Sequence, residues 1–587
     1  MKDIEGSHKV VLSLDEAKML KPILDNIISL GNISAKDLNF LKRKYKCNHK
    51  NSTLLQAYNI LHAHEDIVKF PEMSDVLMIK QCKSWSGITS ITVFTSPYPE
   101  YTNDDGEKVV QSFSCQKNCH FCPNQPGQVR SYILDEPGVA RANANKYICV
   151  DQMYNRMDAL CSIGHIDLGK LEILVLGGTF SSYPDQYRIE FIRDIYYAAN
   201  TYWDRKRVER LSLEKEIQIN TTTKSRVIGL TIETRGDSIT FQELTLFRRM
   251  GCTRIQMGIQ HTDDNILNYN NRQCSTATTK RAIQMCKELG FKLDGHLMFN
   301  LPSSTIEKDT KMLMVDIIGL AQGHIVPQRN GNNEKWTMYD PMIQVDQLKL
   351  YPTAVTDYTK IKEWFENGSY VPYAEDLLKE LIIRFKIQVP HWIRLNRIIR
   401  DFYAHAVYSE SGGNLGLRDE IQREMDKCGL ICRCIRCREV KNKSWDGDYE
   451  IYICEYNASN GREFFISAEN KQRTVLYGFV RLRLDSAQNK FFTELNGAAL
   501  IRELHVYSQL TNVGTKGKHV QHKGLGTALM KKAEEIGIAN KYYKFAVISG
   551  VGARTFYERI GYTLDKGLGQ YMIKRKSTSS LLRYFMP

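Results

Sequence analysis

Three cysteines in Ser114-Cys115-Gln116-Lys117-Asn118-Cys119-His120-Phe121-Cys122-Pro123 stand at C-x3-C-x2-C spacing. Three thiolates on one short loop can hold three irons of a cubic [4Fe-4S] cluster and leave the fourth iron open to a ligand. A zinc loop is the competing reading, although zinc more usually takes paired C-x2-C units. A second group, Cys428, Cys432, Cys434 and Cys437, packs four thiols into ten positions. The remaining cysteines (Cys47, Cys82, Cys149, Cys161, Cys252, Cys274, Cys286 and Cys454) stand singly and read as small buried hydrophobes.

Elements that must position the first triad follow it. Leu171-Glu-Ile-Leu-Val-Leu176 is a buried-strand run that ends in Gly177-Gly178-Thr179, where glycines let backbone approach a ligand. Incomplete cluster ligation followed by a strand and Gly-Gly resembles radical S-adenosylmethionine (SAM) enzymes, whose barrels hold the SAM amino group there. Further apolar runs end in polar residues: Val227 to Arg235, Cys252 to Gln260, Leu293 to Met298 and Val345 to Tyr351. Helical stretches such as Ser238 to Met250 and Ala277 to Leu289 separate several of them. Alternating strand and helix predicts a parallel α/β sheet, a partial or full (β/α) barrel with its chemistry at the strand C-termini.

From about Trp445 the pattern turns antiparallel: Tyr449 to Tyr456, Phe464 to Ser467, Val475 to Leu484 and Ile501 to Tyr507 read as strands. Gln521-His522-Lys523-Gly524-Leu525-Gly526-Thr527 then opens a helix. Q-x-x-G-x-G at a strand-to-helix passage resembles the pyrophosphate loop of GCN5-related acetyltransferases, with backbone N–H groups and the helix dipole facing a diphosphate. The strand Tyr543 to Ser549 and the run Ala553 to Tyr562, carrying Phe556 and Tyr557, are the usual companions of that loop in acetyl-CoA binders.

The 587 residues predict three or four domains. Apolar residues at 42% and charged residues at 25% exclude a chain that is disordered throughout. No apolar run reaches the roughly 18 residues of a membrane span, and the start lacks the apolar stretch of a signal peptide. A reducing compartment, the cytoplasm with the nucleus or a host cytoplasm as alternatives, is expected for the 15 cysteines. The formal charge of +14 points to acidic partners. Residues 1–75 read as a small helical region whose basic run Lys42-Arg43-Lys44-Tyr45-Lys46 suits RNA.

A barrel of this kind joined to an acetyltransferase domain resembles the family of Elongator catalytic subunits and their single-protein archaeal, bacterial and viral relatives. The resemblance runs through Pro97-Tyr-Pro, the cysteine triad, Leu176-Gly-Gly-Thr-Phe, Ile232-Glu-Thr-Arg, Lys349-Leu-Tyr-Pro-Thr353, Cys434-Ile-Arg-Cys-Arg-Glu-Val440 and Arg502-Glu-Leu-His-Val-Tyr507. It implies a radical SAM domain over residues 76–385, a basic linker over 386–445, an acetyltransferase domain over 446–575 and a tail over 576–587. The activity it implies is synthesis of a 5-carboxymethyl group on wobble uridine 34 of tRNA from acetyl-CoA and a SAM-derived 5'-deoxyadenosyl radical.

Residue by residue, it implies that Cys115, Cys119 and Cys122 ligate the cluster, while Gly177, Gly178, Thr179, Glu233 and Gln260 line the SAM site. Gln521, Lys523, Gly524, Gly526 and Thr527 would cradle CoA, with Phe556 and Tyr557 at the thioester. Lys349, Glu503 and Tyr557 are the candidate catalytic groups, Glu503 as a general base. Cys432, Cys434 and Cys437 would bind structural zinc, with Cys428 as fourth ligand. Basic residues around them (Arg384, Lys386, Arg394, Arg397, Arg400, Arg433, Arg436 and Arg438) suit an anticodon stem-loop. Elongator-type accessory subunits or a homodimer would be its protein partners. The chain departs from the family's usual pattern at Gln256, where Glu is usual, at Gln273-Cys274, where Gly-His is usual, at Phe299-Asn300, and in an insertion from Glu100 to Lys108. Two other readings stand beside this one: a protein lysine acetyltransferase with a structural cluster, and a catalytically reduced tRNA-binding relative.

Overall fold

The structure, a computed structural model, describes residues 12–31, 33–70, 73–77, 87–103, 105–163, 165, 168–319, 327–338, 341–441, 448–485, 491–507 and 524–576. Gln521 and Lys523 lie outside the described residues.

Seven parallel strands form the first sheet in chain order: Thr89–Phe94, Lys170–Leu176, Arg226–Thr234, Arg254–Gln260, Lys292–Phe299, Gln347–Pro352 and Arg394–Arg397. Because the first and last each pair on one side, the sheet is a partial barrel. Its connecting helices start where polar caps satisfy their first N–H groups, as Thr240 does for Phe241–Arg249 and Ser275 for Thr276–Glu288. Arg394–Arg397, expected in the linker, instead pairs with Gln347–Pro352, so the barrel runs past residue 385. The insertion after Pro99 folds into a hairpin, Glu100–Thr102 against Lys108–Val110.

The second sheet is built on four long antiparallel neighbours, Glu450–Ala458, Gly461–Glu469, Leu476–Leu484 and Ala498–Val506. Lys544–Val547 joins the last of these in parallel, and helix Leu525–Ala539 packs on the same strands. At the other edge, Asn333–Trp336, from the barrel half of the chain, pairs in parallel with Glu450–Ala458. One apolar core runs through both sheets.

Buried charges bind the halves together. Arg502 donates to Asp346 at 2.6 Å and to Glu463 at 2.8 Å, and Lys287 reaches Glu463 at 3.1 Å. Trp392 stacks on Tyr456 with ring centroids 4.1 Å apart. Removing one member of such a set would strand its partner charge away from water, which is costly.

Ahead of the barrel, short helices including Leu14–Met19, Lys21–Leu30, Ala35–Lys44 and Asn51–Ala63 enclose a separate apolar core around Leu24, Leu54 and Leu61. Ser13 with Glu16 and Ser34 with Asp37 close capping boxes at two of their starts. No helix among the described residues is long and apolar enough to cross a membrane.

Candidate functional site

The cysteine loop is clamped to the barrel by backbone. Thr179 N–H donates to Ser114 O at 3.1 Å, and Arg130 N–H donates to Ser114 Oγ at 2.7 Å. Gly177 and Gly178 make this docking possible. Their φ angles are +126° and +82°, and a Cβ would lie 2.2 Å from Thr95 Oγ1 and 2.5 Å from Ser114 O respectively. Thr179 Oγ1 sits 3.2 Å from Cys115 Sγ. Cys119 Sγ lies 3.5 Å from Arg235 Nη1 and 3.9 Å from Arg272 Nη1. Hydrogen bonding from Cys122 and, against burial, the two guanidiniums pull the Cys119 thiol down to about 5, whereas the same bond and burial push Cys122 well up. Three cysteine sulfurs on one loop, one of them beside two guanidiniums, fit a cluster held by three cysteines.

Beyond the loop lies a cavity of about 770 Å³ shared by both halves of the chain. Phe121 and Pro123 line it from the cysteine loop, Glu233, His296 and Lys349 from the barrel, and Arg481, Glu503 and His505 from the second sheet. Within it, Tyr132 OH donates to Glu233 Oε2 at 2.8 Å, and His296 Nδ1 lies 3.6 Å from Glu233 Oε1. Burial raises the Glu233 pKa, with Lys349 acting against it. Gln260 lines the same cavity at φ +70°, where the strand register shifts.

Lys349 is buried and donates to Gln256 Oε1 at 2.9 Å; Gln256 Nε2 in turn lies 3.4 Å from Asp294 Oδ2. Burial lowers its pKa, while Asp294 and Glu233 oppose that shift. Asp294 and His296 are two apart on one strand and therefore share a face, a signal carried by Leu293-Asp-Gly-His296. Tyr132 and Asn396, which donates to Asp294 at 3.0 Å, carried no such signal. Gln273 adopts φ +51°, the left-handed region that glycine enters most readily.

Glu503 is placed differently from a working base. Its Oε2 accepts from Arg481 Nε at 2.9 Å, and Arg254 stands 4.0 Å from Oε1. Burial pushes its carboxyl up, but Lys292, Arg481 and Arg254 together outweigh that and bring it to about 2. So weak a base suits an anchor between the sheets better than proton abstraction.

At the acetyltransferase end, Gly524 caps helix Leu525–Ala539 at φ +107°, with open space where a Cβ would stand. Helix starts leave N–H groups free for an anion, and Thr527 is exposed in this first turn. A Cβ added at Gly526 would stand 3.5 Å from the Phe556 ring. Tyr557 is buried edge-on to Phe556 and Tyr562, and burial, then Glu503, raises its hydroxyl pKa.

In the connecting region the sulfurs of Cys432, Cys434 and Cys437 lie within 4.8 Å of one another, while Cys428 is exposed and outside the group. Two of the basic residues assigned to RNA are interior. Arg438 pairs with Glu469 at 2.7 Å, and Lys386 is buried against Gln422 at 3.2 Å. Arg384 and Arg433 are exposed. Arg400 reaches Glu136 at 2.8 Å and Arg397 reaches Asp401 at 2.6 Å beside the cavity.

Comparison with known proteins agrees with this arrangement. Residues 109–313 match the Radical SAM superfamily, 345–427 the Radical_SAM C-terminal domain and 452–571 the Acetyltransferase (GNAT) domain. The chain is 33% identical to the tRNA uridine(34) acetyltransferase of Dehalococcoides mccartyi over 85% of its own length and 99% of that protein. It is 31% identical to Elongator complex protein 3 of Schizosaccharomyces pombe over 96% of its length and 99% of that protein. The solved archaeal Elp3 of Methanocaldococcus infernus, lacking its residues 1–46, superposes with a TM-score of 0.66 at 29% identity, covering 84% of this chain and all of that one. The radical SAM domain implies a [4Fe-4S] cluster and SAM, and the GNAT domain implies acetyl-CoA; the cysteine loop and the Gly524 helix start fit them. With a radical SAM domain and a GNAT domain on one chain, this protein belongs to the family of Elongator complex protein 3 and the tRNA uridine(34) acetyltransferases.

Proposed function

We propose that the chain modifies wobble uridine 34 of tRNA, building a 5-carboxymethyl group with acetyl-CoA as the carbon source. The observation that carries this reading is the single cavity lined by both the barrel and the second sheet. Loaded with its cluster, SAM and acetyl-CoA, the site supplies a carbon-centred radical and the two-carbon unit on which it acts. The chain's own residues do the rest. Arg235 and Arg272 favour the Cys119 thiolate, and Glu233 with His296 and Lys349 presents hydrogen-bonding groups to a uracil or to SAM. Glu503 and Arg481 hold the second sheet against the cavity.

The names of the relatives support the substrate. The partners in this reading are tRNA and acetyl-CoA, with Elongator-type accessory subunits or a second copy of the chain as assemblies to test, in the cytoplasm. Cys432, Cys434 and Cys437 would hold a structural zinc ion. After anaerobic reconstitution with iron and sulfide, tRNA should stimulate both SAM cleavage and CoA release, and Cys119→Ala should abolish SAM cleavage. A lysine peptide that stimulates CoA release better than tRNA would overturn the reading.

A further inference from the structure

Two fully buried carboxylates, Asp309 and Asp346, have donors on both oxygens. Asp309 accepts from His261 and Ser304 on Oδ1 and from Asn300 N–H and Tyr373 OH on Oδ2, and Asp346 takes Arg502 on both. Asp294 differs. Its Oδ2 accepts from Asn396 Nδ2 at 3.0 Å and lies 3.4 Å from Gln256 Nε2, but its Oδ1 has no hydrogen-bond partner. Among the described residues it is the one carboxylate oxygen buried in that state. Only 1% of Asp294 is exposed, and it lines the cavity shared by the two halves.

Strand register sets its place. Asp294 pairs across to Gln256 and Gln347, and two residues further along the strand His296 pairs with Lys349. Three residues before Asp294, Phe291 O accepts from Arg502 of the second sheet at 2.9 Å; beyond it, His296 Nδ1 lies 3.6 Å from Glu233. A base worked on from both halves of the chain must lie between them, and Asp294 stands there. Asn396 Nδ2 also donates to Gln347 Oε1 at 2.6 Å, which holds the carboxylate in place from behind.

Resting on the proposed function, we propose that Asp294 is the residue that selects uridine, its Oδ1 accepting the N3–H of the uracil ring. A buried acceptor left without a donor is costly, and a ligand that brings one removes the cost. Uracil offers an N–H between two carbonyl oxygens, whereas cytosine turns a lone pair toward the same point and would meet the carboxylate with repulsion. Lys349 uses one of its three hydrogens on Gln256 and has others for a flanking carbonyl. Hydrogen bonds to this edge are how a base withdrawn from its stack is told apart from another. Burial raises the Asp294 pKa, while Lys349, Arg254, Asn396 and Arg394 act the other way and favour the ionised, accepting form.

The experiment titrates the full chain, reconstituted anaerobically with its cluster and SAM, with anticodon stem-loops that differ only in the wobble base: uridine, 3-methyluridine, which lacks the N3–H, and cytidine. Wild type should bind the uridine loop at least about ten-fold more tightly than either of the others. Asp294→Ala should bring the three to within about two-fold of one another. Asp294→Asn, whose amide can donate to the cytosine ring, should tighten cytidine relative to uridine. Each result is a ratio taken within one variant, so a loss of folded protein does not move it. A wild type that does not separate uridine from 3-methyluridine, or variants that keep the wild-type preference while losing SAM affinity or stability, would overturn the assignment. Failure of the wild-type chain to bind any of the loops would instead overturn the tRNA reading itself.

Discussion

Lys349 Nζ donates to the side-chain oxygen of Gln256 at 2.9 Å, so the buried ammonium meets a neutral amide before it meets a carboxylate. Gln256 bridges it to Asp294, and Glu233 acts on it from the strand Arg226–Thr234, with Arg397 and Arg400 opposing. Gln256→Glu would put a carboxylate in contact with the ammonium and favour its charged form. Whichever form of Lys349 is active, the limb of the pH–rate profile that belongs to it should move to higher pH in Gln256→Glu, with a change of up to about ten-fold at pH 7. The tRNA-stimulated CoA release rate against pH is the measurement.

Acid should loosen the contact between the sheets. The Glu503 carboxyl lies at about 2 in the folded chain against 4.5 unperturbed. A depressed carboxylate contributes stability that is fully present above the unfolded value and is lost as pH falls from 4.5 toward 2, on the order of 3 kcal/mol for this group. Glu463, also held at about 2, adds to the same window. Glu503→Gln should therefore flatten the fall in unfolding free energy over that range. It should also lower stability at pH 7, because Arg481 loses its nearest carboxylate and Arg254 one of two.

Gly178→Ala should separate folding from cluster assembly. The added methyl meets Ser114 O at 2.5 Å in a backbone conformation that L side chains rarely adopt, a cost of about 1–3 kcal/mol concentrated on the cysteine loop. Iron and sulfide content after reconstitution should fall sharply while far-ultraviolet circular dichroism stays near wild type.

Metal analysis should divide the second cysteine group. Cys434→Ser is expected to lose the bound zinc ion and to lower the melting temperature, whereas exposed Cys428→Ser is expected to change neither.

Five of the seven barrel strands were legible in the sequence as buried apolar runs, whereas Thr89–Phe94 was not read as a strand. Arg394–Arg397 escaped, since Leu395 is its one apolar residue and its strand character comes from pairing with Gln347–Pro352. Asn333–Trp336 escaped for the same reason: it is a polar segment made into a strand by Glu450–Ala458. In the site, thiol spacing and strand-end residues such as Glu233 and Lys349 were visible as local patterns. The setting of Glu503 was not, because Lys292 and Arg254 come from barrel strands more than 200 positions earlier in the chain. Arg438 likewise looked like part of a basic surface until Glu469 was seen to pair with it inside the protein.

The central claim is that both halves of the chain act on one uridine across one cavity. Anaerobically reconstituted protein, incubated with SAM, acetyl-CoA carrying heavy carbon in its acetyl group and unmodified tRNA, tests it by nucleoside mass spectrometry. The account predicts a 5-carboxymethyl group at uridine 34 that contains both heavy carbons and disappears with Cys119→Ala. An unmodified uridine 34 while SAM is cleaved and CoA is released would contradict it.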